Sequence, residues 1–171
     1  KIGADFFNCV QMMRDRLHAN AVPIQIPVGA EDKFRGIIDL VSMEARLWPE
    51  EDTELGAKFT IGPIPDELKE TAQQWREKLL ESLSEWDDEF AEKYLESHEI
   101  TNDELNAMIR KVTLKAKITP VLCGSAFKNK GIQLLLDAVV DFFPSPTDVG
   151  SVMGEDPRSG EPIERHPDDK E

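Results

Sequence analysis

Cysteine is nearly absent from this sequence: Cys9 and Cys123 are the only two among 171 residues. They lie far apart and form no CxxC, which excludes a disulfide framework, a cysteine zinc site and a thioredoxin-like redox motif. Histidine is equally sparse. His18, His98 and His166 fall in unrelated segments without metal-ligand spacing, so each is expected on the surface and no metal site is predicted. No apolar run approaches the ~18 residues of a membrane span, and no leader pattern is visible. Cationic residues are also in deficit: 20 Lys and Arg face 34 Asp and Glu, for a formal net charge of -14 and a pI near 4.6. Such a surface repels phosphate backbones and anionic membranes, so direct nucleic-acid or membrane binding is not expected; it suits a basic protein partner, or simply solubility. The low cysteine content fits a reducing, cytoplasmic setting. The first residue is Lys1 rather than Met, almost at the start of a helical pattern, so the chain is expected to be part of a longer one.

The phosphate-binding signatures of nucleotide enzymes are missing too. No G-x-x-x-x-G-K-[ST] occurs, nor any Asp-x-x-Gly. Asn129-Lys130 resembles the start of a guanine-reading Asn-Lys-x-Asp, but Gly131 and Ile132 follow. The chain therefore carries no catalytic residues of its own for GTP hydrolysis.

What is present is a core. About 40% of the residues are hydrophobic, too many for a disordered chain, and the length allows one domain or two small ones. Phe6, Val10, Met13 and Leu17 recur at helical spacing and predict a helix over 3–18. Val22, Ile24, Ile26 and Val28 then alternate with Pro23 and Pro27 interleaved, which predicts an edge strand or extended segment. Short strands follow at 34–41, 43–48 and 57–61, joined by polar loops of which "PEEDTELG" is the longest; this spacing predicts a small antiparallel sheet. "IPDELKE" opens a helix, with Pro65 suited to its first position. Leu68, Ala72, Trp75, Leu79, Leu83, Trp86 and Phe90 form a stripe about 80° wide at about 100° per residue. A break near 84–88 is expected, because Ser and Asp there can cap a second helix. Thr101 and Glu104 make a capping box for a helix over 102–116. An apolar strand at 118–123 and a helix at 130–143 follow. That strand has no hairpin neighbour and is expected to join a parallel sheet with strands outside the chain. From Pro144 onward the composition is that of a linker.

Two features point toward chemistry. "PVLCGSAFKNKG" (120–131) is an apolar strand ending in Ser125-Ala126 and feeding a helix. Small residues there let a base approach the backbone and aim N–H groups at a carbonyl such as guanine O6; a generic strand-to-helix turn uses the same residues. The second feature is a row of carboxylates, Glu70, Glu77, Glu81, Glu85 and Asp88, about 180° from the apolar stripe if the helix is continuous. Such a face is either plain solvated surface or an attractor for a basic partner.

With these residues in place, the chain resembles bacterial elongation factor G, the translational GTPase of ribosomal translocation. "GADFF" and "RLHANAVPIQIPVGAEDKFRGIIDLV" resemble the segment after that family's Asn-Lys-Met-Asp. "PVLCGSAFKNKGIQLLLDAVVDFFPSP" resembles its guanine loop and last GTPase helix, and "ERHPDDKE" the linker into its second domain. The resemblance implies an α+β fold: a small antiparallel sheet with helices, inserted into the end of a P-loop-type α/β GTPase domain. It implies residues 1–20 as a GTPase-domain helix, 21–116 as the inserted subdomain, 117–146 as guanine-loop strand and last helix, and 147–171 as linker. It implies that Ser125 and Ala126 contact guanine through backbone groups, with Phe127 shaping the pocket. It further implies GTP or GDP with Mg in the parent enzyme and none bound by this segment alone. The implied partners are the rest of the GTPase domain, the ribosome, and the ribosomal stalk protein docking on Glu81, Glu85 and Asp88. A sister translational GTPase and a standalone acidic adaptor without GTPase activity remain the alternatives.

Overall fold

A computed structural model of the protein describes residues 2–49, 56–96 and 98–167. Most of the loop written PEEDTELG, and the last four residues of ERHPDDKE, lie outside the described residues.

The chain begins with α1 (Phe6–Leu17), capped at its start by the Asp5 side chain, which accepts from the Asn8 amide. The following apolar run is not one strand but two. β1 (Ala21–Pro23) and β2 (Gln25–Val28) divide at Ile24 and enter different sheets. Nearly all of this run is buried, because it lies between two layers, so the alternation in its sequence does not separate an inner from an outer face. β2 takes the edge of an antiparallel sheet completed by β3 (Gly36–Asp39), β4 (Glu44–Leu47) and β5 (Thr60–Gly62), in the order β2-β3-β4-β5. An edge position tolerates Pro27, which has no N–H to donate to a ladder.

Pro65 precedes a short 3-10 turn over Asp66–Leu68 and stands at its cap, one step earlier than the first helical position. α2 (Lys69–Ser84) continues from the turn. It stops where expected: Asp87 adopts an extended backbone and accepts from Phe90 N, starting α3 (Asp88–Leu95). Helix α4 (Asn102–Leu114) carries the complete Thr101/Glu104 capping box. Ala72, Leu79, Leu80 and Leu83 of α2, Phe90 of α3, and Leu105, Met108, Ile109 and Val112 of α4 form one cluster with the sheet residues Ile26, Val28, Ile38 and Ala45. Each large side chain so buried contributes about 1.5–3 kcal/mol. Three ion pairs brace the helices from outside: Lys93 with Glu104, Lys111 with Asp87, and Arg110 with Asp148.

The strand at 118–123 is β6 (Thr119–Val121), and its pairing corrects the expectation of a partner outside the chain: it lies parallel to β1, with Val22 opposite Pro120. Side chains help fix this pairing. Arg14 of α1 donates to Ala21 O at 2.7 Å, and Asn20 Nδ2 donates to Lys117 O at 3.0 Å. α5 (Ile132–Phe142) packs on α4, whose Arg110 reaches the carbonyls of Asp141 and Phe143. The segment expected to be plain linker also has structure. Ser145 and Asp148 cap a short helix, α6 (Pro146–Val149), and β7 (Val152–Glu155) pairs with β8 (Pro162–Arg165) in a hairpin that stays largely exposed. Local turn chemistry accounts for the hairpin: Asp156 Oδ1 accepts from Arg158 N at 2.7 Å, and Asp156 O from the Gly160 amide. The architecture is α+β, a small antiparallel sheet with helices. No helix among the described residues is long and apolar enough to cross a membrane.

Candidate functional site

The loop that follows β6 is folded tightly on itself. Ser125 N donates to Lys130 O at 2.8 Å, and Lys130 N returns a bond to Ser125 O at 3.1 Å. Between them Ala126–Lys128 makes one 3-10 turn, closed by Lys128 N to Ser125 O, and Asn129 leaves it in the left-handed region at φ 54. Gly131, at φ 84, then starts α5. The Ser125 amide is therefore committed inside the loop. The amides of Ala126 and Phe127, first in the turn, have no acceptor within it and are the groups the loop can offer to a carbonyl oxygen.

The loop borders a cleft of about 480 Å³ lined by Phe6, Cys9, Pro27, Phe34, Leu122 and residues 123–126, with Asp5 and Glu31 also in its wall. This cleft lies at the carboxyl end of β6, beside the carboxyl end of the parallel strand β1. Ligands of open α/β sheets bind at that end. Phe127 stands at the rim with its ring fully in solvent, at 101% exposure, so it bounds the mouth and does not fill the interior. Cys123 lines the cleft, and burial pushes its thiol up to about 12, so it stays protonated at neutral pH.

The carboxylates predicted to share one face are distributed over two helices. Glu81 lies on α2, Glu85 caps its end and Asp88 opens α3, so the continuous-helix geometry reaches only as far as Glu81. All three remain exposed. Tyr94 of α3 sits beside them: burial first, then the charges of Glu81 and Glu77, raises its hydroxyl pKa. Lys78 is turned away over the Trp75 ring, at 4.4 Å from its centroid, and Lys117 lies 4.9 Å from the centroid of the half-exposed Trp86. Asp87, next to these carboxylates, is bound to Lys111 and to the Phe90 amide, which hold it below its ordinary pKa. Among the described residues no group of three or more His, Cys, Asp or Glu could hold a metal ion.

Two residues against the loop escaped the sequence reading. Gly56 packs on the backbone of Lys128 and Asn129, and Trp48 donates its indole N–H to Gly56 O at 2.8 Å. More than seventy positions separate Gly56 from Asn129, and no local pattern announces the contact.

The fold and cleft define an α+β unit in which a parallel strand pair holds the loop and an antiparallel sheet leans on it. No family model matches the chain. Among solved structures, it is similar to a crystal structure of a protein from Thermus thermophilus, with a TM-score of 0.72 and 26% identity. The likeness covers 88% of this chain and 22% of that one, so this chain spans about a fifth of the length of the protein it matches.

Proposed function

We propose that this chain is a segment of a translational GTPase of the elongation factor G type, active in ribosomal translocation in the cytoplasm. The observation that carries this is the Ser125-Ala126-Phe127 loop at the carboxyl end of β6, with the Ala126 and Phe127 amides available beside a cleft of about 480 Å³. A purine carbonyl fits there: the amides donate to O6, the apolar walls take the ring face, and the small Ala126 side chain permits the approach. The sequence carries no P-loop and no Asp-x-x-Gly, so on this reading GTP binding and hydrolysis belong to the longer parent enzyme; bound GTP supplies the hydrolysable phosphoanhydride. The neighbour's much greater length accords with such a parent.

On the same reading, the exposed carboxylates of Glu81, Glu85 and Asp88 dock the ribosomal stalk protein. They present negative charge with Lys78 and Lys111 drawn away to Trp75 and Asp87. The test is a titration with the globular domain of the stalk protein at low and moderate salt. The expected affinity is on the order of tens of micromolar, weakening with salt, as for a small transient interface. Glu81→Lys with Glu85→Lys should abolish it. An affinity unchanged by the double reversal would remove the acidic surface from the proposal.

A further inference from the structure

The guanine loop has an outer and an inner side. Its outer side carries Phe127 in solvent; its inner side rests on the inserted subdomain. There Gly56, buried and at φ +77, lies so close that a Cβ on it would meet Asn129 C and O and Lys128 O, each at 2.6 Å. All three are backbone atoms, which cannot swing aside as a side-chain tip can. Gly131 shows the same closeness from the loop's side, where an added Cβ would sit 2.9 Å from Ile37 Cδ1 of β3.

Gly56 is itself fixed. Its carbonyl accepts the Trp48 indole N–H in a buried bond, and Trp48 is 4% exposed. The Trp48 amide donates to Arg35 O at 2.9 Å, and its ring packs against Phe34 and Phe59. An indole has a single donor, so its direction determines where that carbonyl must lie. A path of direct contacts thus runs from Trp48, beside β4, through Gly56 to Lys128 and Asn129, just after the Ala126 and Phe127 amides.

We infer that Gly56 and Trp48 are positioning residues for guanine recognition: the inserted subdomain sets the height of the Ser125–Asn129 loop through a backbone contact that only glycine permits. This rests on the proposed guanine reading and adds to it the residues that tune base affinity without touching the base.

The experiment uses the full-length gene product. It measures dissociation constants for GDP and for the 2-aminopurine nucleoside diphosphate, which lacks O6, together with thermal midpoints. Gly56→Ala should weaken GDP binding on the order of ten- to a hundredfold, the cost of displacing a recognition group by about 1 Å. It should leave the O6-less analogue nearly unaffected, a selectivity that general destabilisation would not produce. Trp48→Phe, which removes the N–H donor together with part of the ring, should weaken GDP about fivefold. Gly62→Ala in β5, where an added Cβ would meet nothing within 4 Å, should match the unsubstituted protein. A folded Gly56→Ala protein with unchanged GDP affinity overturns the inference, as does equal loss for both nucleotides. If Gly56→Ala does not fold, unchanged GDP affinity in Trp48→Phe overturns it. Absence of GDP binding by the unsubstituted protein overturns the guanine reading and this inference together.

Discussion

Helix α5 is much the more apolar of the two helices α2 and α5, with eight apolar residues of eleven against five of sixteen in α2, yet it is the less buried. Leu79 and Leu83 of α2 are 1% and 0% exposed, closed between the sheet and α4. On α5 only Phe142 is fully buried, while Leu136 and Val140 stand 60% and 78% in solvent. α5 is also apolar almost all round, the signature of a helix enclosed on every side. The body built on β2–β5 and α2–α4 is thus closed, with Val22, Ile118 and Phe142 joining its core, whereas the outer layer made by α1, β1, β6 and α5 has one finished face. On the proposed reading the rest of the GTPase domain covers the other. Burial follows the partner available, not the hydrophobicity of the stripe.

The sharpest way to break this comparison is a matched pair of truncations. Leu79→Ala removes a side chain from a closed core and should cost about 2–5 kcal/mol in a urea unfolding experiment on this chain. Leu136→Ala on α5 should stay within about 0.5 kcal/mol. Comparable losses at the two sites would mean that α5 is as enclosed as α2 and that no further layer is wanted.

A smaller effect should appear in amide exchange. Residues 69–84 should open only with the whole body, and 132–142 by local opening. A protection difference of about tenfold or more corresponds to ~1.4 kcal/mol. The margin is moderated by the anchors that α5 does have, Phe142 in the core and the Arg110 bonds to its last carbonyls. Better protection of 132–142 than of 69–84 would reverse the ranking.

The same contrast explains what could be seen in the sequence. Where structure is set by neighbours in the chain, the residues announced it: Asp87 as the cap that divides α2 from α3, Thr101 with Glu104 at α4, and the antiparallel sheet of β3, β4 and β5. Where it is set across the fold, they did not. The division at Ile24 depends on β1 finding β6 nearly a hundred residues later, and an alternating apolar run looks the same whether it serves one sheet or two. The terminal hairpin was hidden by a composition that suits linker and turn alike. At the candidate site, Ser125, Ala126 and Phe127 were visible as a motif, but the internal use of the Ser125 amide and the support from Gly56 are tertiary facts. The acidic row was visible as charge, while its spread over two helices came from the Asp87 cap.

The smallest effect separates the two regions by pH. The body of β2–β5 and α2–α4 carries carboxylates tied to cations across its helices. Glu104 is held down to about 2 from 4.5, chiefly by the Lys93 ammonium at 2.5 Å and then by Thr101. Asp87 is lowered by Lys111 and then by the Phe90 amide. A carboxyl whose folded pKa lies below its unfolded value stabilises the fold above the unfolded value. That contribution disappears as pH falls through the folded one. For Glu104 the window runs from about 4.5 down to about 2. Glu104 is exposed and Asp87 only partly covered, so solvent screens both and the loss should be modest. The thermal midpoint should hold steady from neutrality to the top of that window and then decline. Glu104→Gln should start lower and decline less steeply, because its Lys93 pair is already gone. A decline of the same slope in Glu104→Gln would show that the Lys93–Glu104 pair contributes nothing, leaving the apolar core and the Asp87–Lys111 pair to distinguish this body from the open layer beside it.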